Sequence, residues 1–541
     1  MNLRPHRRSP RALALAGLIA LTLPHPSRAE DPRPTPSRTT GAKLDFVDAM
    51  LKASWEENSV KPSRAATDEE FLRRAYLDVL GRIPNIQEAT AFLRNKEAGK
   101  RAKLVEYLLA NPDYPRNMAT QWKVILLGRK NQGREVDANA LTAWIRRQFA
   151  ENRPWNEIAF DLLAASGSNK DNGAVNFTLA HMGEGAVNLT SITTRVFLGQ
   201  QIQCTQCHDH PSNDWKQSDF WGINAFYKGL KRDEVRTADA AGTETVDHYE
   251  LSDEPSDKFA SFERRDARLG IAFPAFLDGR KISQGKDVNR REALARFIAD
   301  KGNNDFAKAY VNRTWGHYFG RGFVNPVDDF GTHNPPSNPE LLDKLAQQFK
   351  ESGYDTKALI RWIMNSDAYN LTSGSVKENE KDETLFSHMT LKPMSPEQLF
   401  DSLIVATAAH KAGGGDHSQQ RDRWLGQFVI TFANDEGDEG TSFQGTIPQA
   451  LMMMNGELMN KALGKESGSF LADLLERARL QKGSAEAYVV NQLYLAALGR
   501  SPGRREFDVA RNFLINNPDT ICVMEDMFWA LLNSNEFVLN R

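Results

Sequence analysis

Apolar residues recur at three- and four-residue spacing in segment after segment of this chain, and that period describes helices with one buried face. It predicts helices over 47–55, 69–80, 86–93, 100–109, 138–149 and 155–165. Further helices are expected over 291–300, 306–319, 339–352, 356–365 and 396–409, and then over 449–463, 469–480, 485–498, 503–515 and 521–532. Local punctuation agrees. Thr67 with Glu70 reads as a capping box, Pro154 suits a first helical turn, and Gly81 with Pro84 and Asn111 with Pro112 end helices. Residues 166–190, rich in Gly and Asn, and 413–445 read as loops. Residues 231–289 are polar and short of helix signals, with short strands expected around 243–251. The fold class expected is therefore mainly α. Two helical domains, 43–230 and 290–541, flank an irregular or partly β insertion at 231–289, and 541 residues suffice for that many cores.

Two phrases recur. Tyr76-Leu77-Asp78-Val79-Leu80-Gly81-Arg82-Ile83-Pro84 is echoed by Tyr494-Leu495-Ala496-Ala497-Leu498-Gly499-Arg500-Ser501-Pro502. LLANPDY at 108–114, IMNSDAY at 363–369 and LLNSNEF at 531–537 each end a helix on Asn and then present an aromatic. These read as repeated packing devices in two related helical domains, not as two active sites.

The first 29 residues have the three parts of a secretory leader. Four Arg fall within residues 1–11, an apolar run covers 12–23, and Ser27-Arg28-Ala29 offers small residues for cleavage. The run is shorter than the roughly 20 residues that span a bilayer. A Pro/Thr/Ser linker follows at 30–42. The mature protein is expected to start near Glu30, in the periplasm or outside the cell. Losing this leader removes five Arg and no acid, taking the formal charge from -2 to -7, which leaves no footprint for nucleic acid. No later run has membrane length. Three Cys do not make a disulfide scaffold, and Cys522 stands alone.

The other two lie in Cys204-Thr205-Gln206-Cys207-His208, the C-x-x-C-H pattern of c-type haem attachment. Two thiols one turn apart can add to the two vinyl groups on one edge of haem, and the next residue, His208, then lies under the iron as axial ligand. A helix over 193–203 running into the motif would put Cys204 and His208 on one face. Such attachment happens outside the cytoplasm, in agreement with the leader. The same residues permit two other readings. Cys204, Cys207, His208 and His210 form a possible Cys₂His₂ set for zinc or iron, with Asp209 and Asp214 as acceptors behind it. Alternatively, Cys204 and Cys207 form a tight disulfide. His181, Met182, His317 and His333 qualify by type as a sixth haem ligand.

The segment FLGQQIQCTQCHDHP at 197–211, followed by Trp215 and Gln217, resembles the planctomycete-type cytochrome-like domain of unknown function with its C-x-x-C-H-x-H-P signature. FLRRAYLDVLGRIPNIQEATAFL at 71–93 matches its N-terminal part. The second half resembles the partner domain usually fused behind it, through 306–349, 353–373, 395–407 and 447–459. The resemblance covers nearly all of the chain after the leader. It implies an exported, haem-c-like protein, and it assigns no substrate.

Other residues carry weaker signals. Asp328-Asp329 with His333 and Asn334 make a polar loop in which a carboxylate pair is imaginable, but helix capping is the ordinary role. Arg73-Arg74 with Asp78 suggest a helix-face ion pair at i, i+4. Met452 to Met454 read as core. The acidic run 435–440 lacks the ligand spacing of a calcium loop. No catalytic residue stands out. The expectation is an exported c-type-haem-like electron-transfer or redox protein with a redox partner protein. The alternative is a non-catalytic extracytoplasmic scaffold that binds a protein or glycan and holds a structural zinc or iron. Trp215, Phe220 and Trp221, if exposed, would suit that second role.

Overall fold

The computed structural model describes residues 44–129, 133–238, 242–255, 257–282, 288–412, 417–432, 447–464 and 466–541. The leader, the linker and the acidic run 435–440 lie outside them.

The chain is mainly helical, as its periodicity predicts. The first helices are α1 (Asp45–Glu57), α2 (Asp68–Leu80), α3 (Ile86–Arg94), α4 (Lys100–Ala110), α5 (Asp113–Leu127), α6 (Ala138–Ala150) and α7 (Trp155–Ala164). After a short strand β1 (Gly167–Ser168) come α8 (Val175–His181), α9 (Gly183–Leu198) and α10 (Gln217–Asn224). The insertion supplies β2 (Leu230–Ala238), β3 (Glu244–Asp253), β4 (Ala260–Glu263) and β5 (Leu269–Ala272). Helices resume with α11 (Arg290–Ile298), α12 (Asn304–Phe319), α13 (Pro339–Glu351) and α14 (Thr356–Met364). The rest is β6 (Lys392–Pro393), α15 (Pro396–Thr407), α16 (His417–Phe432), α17 (Ile447–Asn455), α18 (Glu457–Ala462), α19 (Phe470–Arg479), α20 (Ala485–Leu498), α21 (Arg504–Ile515), α22 (Thr520–Leu532), α23 (Asn535–Val538) and β7 (Leu539–Asn540). Among the described residues no helix is long and apolar enough to cross a membrane.

The sheets are small. β2 and β3 form an antiparallel hairpin with a bulge between Val235 and Arg236, and β1 adds to the far edge of β3. β4 pairs with β5, and β6 with β7.

Four local readings are corrected. Helix α5 was not expected after the Asn111-Pro112 stop. Pro112 and Pro115 fall at its cap and first turn, where no helical N–H is lost, and the Asn111 side chain accepts from the Asp113 N–H at 2.9 Å. Residues 166–190 hold β1, α8 and the start of α9, which begins through a left-handed stretch at Glu184, Gly185 and Ala186. Helix α16 lies inside the expected loop 413–445; it buries Trp424, Phe428 and Phe432, spaced four apart. The helix expected over 449–463 divides at Gly456, whose absent side chain would stand 2.6 Å from the Met452 carbonyl oxygen.

Two apolar cores result. The first gathers side chains from Val47 to Leu198 together with Leu294 to Met389, so residues far apart in sequence share it. The second gathers Met394 to Phe537 with Leu77 and Ile83. Helix α2 thus feeds both, and every residue from Phe71 to Leu80 is buried. Burial on all sides forces its charged groups to find partners inside the protein. Arg73 donates to the carbonyls of Ala497 and Phe537, and Arg74 to those of Tyr369, Leu371 and Arg541. Asp78 does not form the expected pair with Arg74. It accepts from the Tyr369 hydroxyl at 2.8 Å, Lys392 Nζ at 2.9 Å and Asn540 Nδ2 at 2.7 Å.

Candidate functional site

Helix α9 stops at Gly199, which takes the left-handed conformation at φ 68° and donates its N–H to the Thr194 carbonyl. A side chain there would also lie 2.6 Å from the Phe330 ring. Glycine therefore answers two demands, a left-handed stop and a close approach. The helix expected to run into the motif ends at Leu198, six residues before Cys204, and Cys204 and His208 do not share a helix face. The motif instead opens on a 3₁₀ turn, Gln203–Gln206. Buried Thr205 pins that turn, its hydroxyl donating to the Ile202 carbonyl at 2.6 Å.

Helix α10 holds the turn from behind. Trp221 Nε1 and Gln217 Nε2 both donate to the Gln206 carbonyl, at 3.1 and 3.2 Å. Gln217 Nε2 also reaches the Glu263 carbonyl of β4 at 2.8 Å, and Trp221 stacks on Phe262 at 5.6 Å. The insertion thus backs the motif. Phe220, weighed above as an exposed aromatic, is fully buried, while Trp215 and Trp221 are half-buried. Asp209 accepts from the Gln217 N–H at 3.0 Å; that bond, with Lys216 nearby, holds its carboxyl below the usual range.

Cys204 and Cys207 are free thiols, so the tight disulfide is not formed. Cys207 is exposed. Cys204 is half-buried, and burial with the Asp329 carboxylate nearby raises its pKa. The two histidines differ in their ring nitrogens. His208 Nδ1 lies 2.7 Å from the Asp209 carbonyl oxygen, which can only accept, so this nitrogen carries the proton and Nε2 keeps its lone pair. That arrangement presets an imidazole as a metal ligand. His210 is the reverse. Its Nδ1 accepts from the N–H groups of Ser212 and Asn213, at 3.2 and 2.9 Å, and the ring also bonds the Gln201 carbonyl. Both of its nitrogens are spent on closing the loop. Burial and neighbouring His333 keep its pKa below the usual imidazole range. Among the described residues no group of three or more His, Cys, Asp or Glu is arranged to hold a metal ion.

The loop after α12 closes the site from the other half of the chain. Buried Asn312 organises it, donating to the Val324 and Val327 carbonyls and accepting from the Val324 N–H. Phe330 N–H then donates to the Gly199 carbonyl at 2.9 Å, Gln201 Nε2 to Asp328 at 3.0 Å, and Thr332 N–H to Asn213 at 3.2 Å. Asp328 also faces Arg313 and Arg195, so it is spent on cations. Asp329 lies 3.2 Å from His333 Nε2 through both oxygens, and the His333 ring stands 5.9 Å from that of His210. Asn334 binds backbone carbonyls, as a loop residue does. Of the other ligand types weighed above, His181 is bonded to the Leu126 carbonyl at 2.7 Å and His317 to that of Asp78 at 3.0 Å, while Met182 packs on the first core. The approach of this loop had no sequence signal, because its contacts join residues 119 or more apart.

A separate cavity of about 530 Å³ opens between α5, α12 and the start of α15. Its walls include the ion pairs of Arg116 with Asp401 at 2.6 Å and Arg129 with Glu397 at 3.1 Å. Burial pushes the Glu397 carboxyl up, but the hydrogen bond and charge of Arg129, with the backbone N–H and Ser395 hydrogen bonds, together bring it below its usual value.

Residues 46–232 match the family described as PSCyt2, protein of unknown function (DUF1549). Residues 290–424 match PSD1, protein of unknown function (DUF1553). No curated protein and no solved structure matches the chain. The motif loop lies within the first matched segment, and the loop bearing Asp329 and His333 within the second.

Proposed function

We propose that this chain, in which a PSCyt2 segment is followed by a PSD1 segment, is an exported electron-transfer protein carrying haem c at Cys204, Cys207 and His208. The observation that carries the reading is the state of the donor set. Two free thiols stand one turn apart, and the histidine after them has Nδ1 committed to a carbonyl and Nε2 open. That set fits covalent haem. His210, with both nitrogens engaged, suits a loop latch better than a fourth metal ligand. Bound there, haem supplies a one-electron couple. The protein's part is to anchor, orient and shield. Cys204 and Cys207 would anchor it by thioethers, the Asp209 carbonyl fixes the tautomer of His208, and Trp221 with Gln217 holds the turn between the thiols. A leader at 1–29 would bring the chain to the compartment where such attachment occurs, the periplasm or beyond.

Expression with a haem-c maturation system, followed by a pyridine haemochrome spectrum and intact mass, tests this. The expected result is the mature mass plus one haem, with Cys207→Ala leaving at most one thioether. A mass equal to the bare mature chain, with no visible absorption, ends the reading.

The cavity near α5 favours a second reading, a binding protein for a partner or glycan with a structural zinc or iron at the motif. Stoichiometric zinc without a Soret band would favour it.

A further inference from the structure

We infer that the sixth ligand at this site is His333, supplied by the other half of the chain and oriented by Asp329. The inference rests on the haem reading above and adds the residue that would complete its ligand set.

Three observations carry it. First, the His333 ring has one nitrogen committed and the other not. Nε2 faces both Asp329 oxygens at 3.2 Å, and a carboxylate only accepts, so Nε2 is protonated and the lone pair lies on Nδ1. A histidine whose second nitrogen donates to a carboxylate is a prepared metal ligand, more basic and fixed in orientation. Secondly, Gly331 makes room for that ring. A side chain there would stand 2.6 Å from His333 Nδ1 and would fall on the Asn213 carboxamide. Thirdly, the placement is imposed by the fold. The loop is tied to the motif region by Phe330 on Gly199, Asp328 on Gln201 and Thr332 on Asn213, so His333 arrives beside the motif loop whatever occupies the site. His181 and His317, the other imidazoles of suitable type, have ring nitrogens bonded to carbonyls elsewhere.

The consequence is a site shared by two segments. His208 comes from the residues matching PSCyt2 and His333 from those matching PSD1. Neither segment alone would give a six-coordinate iron.

The test uses the full haem-loaded chain and reads visible and electron-paramagnetic-resonance spectra. The wild-type protein should be low-spin with two nitrogen ligands. His333→Ala should turn high-spin and bind carbon monoxide, and added imidazole should restore the low-spin spectrum. His333→Met keeps a ligand of another kind and should give a low-spin spectrum shifted from the wild type, which guards against simple unfolding. Asp329→Asn, which weakens the hold on His333 without removing the ligand, should keep the low-spin spectrum and raise the reduction potential. His181→Gln should change nothing. A high-spin wild-type protein, or a His333→Ala spectrum identical to the wild type, overturns the assignment while the haem reading stands. A chain without haem sinks both.

Discussion

The hairpin at 76–84 and its echo at 494–502 are built alike. In each, a buried tyrosine is followed by a left-handed glycine and then by an arginine that folds back over the tyrosine ring. Arg82 grips Glu88 at 2.9 Å and Asp113 at 2.9 Å. Arg500 grips Glu506 at 2.8 Å and Glu536 at 2.7 Å. The acids Asp113 and Glu536 come from the NPDY and NSNEF phrases, so the two recurrent phrases form one device used twice. The surroundings differ. The first copy sits on α2, between the two cores, where three charged groups are buried: Arg73, Arg74 and Asp78. The second copy sits on α20, within the second core, and the equivalent positions are Asn491, Gln492 and Ala496. One scaffold has been used plainly at one end and loaded with a buried polar hub at the other.

The largest expected effect attacks that hub. Asp78→Ala leaves the buried Lys392 ammonium without its carboxylate, and breaking a buried pair on one side costs about 3–5 kcal/mol. Urea denaturation should show that loss; Ala496→Ser at the equivalent place should cost less than about 1 kcal/mol. If Asp78→Ala were equally mild, α2 would not be the staple between the cores.

The glycines sharpen the comparison at smaller scale. Gly81 and Gly499 have φ 71° and 67°. Gly499→Ala should cost about 1–2 kcal/mol for the left-handed backbone alone, since its new methyl group would meet only Pro84, at 3.5 Å. Gly81→Ala adds a collision with the buried Asn117 carboxamide, which bonds the Asp78 and Val79 carbonyls. Thermal unfolding should rank Gly81→Ala clearly below Gly499→Ala. Equal losses would mean that Asn117 moves aside freely.

What could be read from the sequence was local. The capping box at Thr67 and Glu70, the glycine stops and the amphipathic periods all act within a few residues, and the corresponding helices form where expected. Helix α16 carried its own signal in Trp424, Phe428 and Phe432, obscured by the glycines before it. The candidate site was legible by half. Cys204, Cys207 and His208 announce themselves by spacing, whereas the 3₁₀ turn that opens the motif at Gln203–Gln206 is backed by Trp221 and Gln217, and Phe330 reaches the Gly199 stop before it from a distant segment. The same holds for His333 and for Asp78. Periodicity marks which face of a helix is buried; it does not say which distant residue arrives there.

The smallest effect expected is a pH dependence confined to the first copy. His317 Nε2 lies 3.0 Å from the Asp78 carbonyl, and Lys392 Nζ donates to the carbonyls of His317 and Tyr318 and to the Asp78 carboxylate. Burial lowers the pKa of His317; the Asp78 carboxylate opposes this and the Lys392 ammonium adds to it. The folded pKa is therefore below the unfolded one, and the unfolded chain takes up the proton first. Stability should be level above about pH 6.5 and should fall as pH drops below it, with the loss growing until the folded pKa is reached. His317→Gln keeps a donor for the Asp78 carbonyl and removes the titration. Its stability, followed by urea midpoint from pH 7.5 to 5.5, should decline less steeply than that of the wild type. Among the described residues no histidine bonds the Ala496 carbonyl as His317 bonds that of Asp78, so variants there should leave the wild-type slope intact. Parallel slopes for His317→Gln and wild type would move the proton uptake to another group and remove this difference between the two copies.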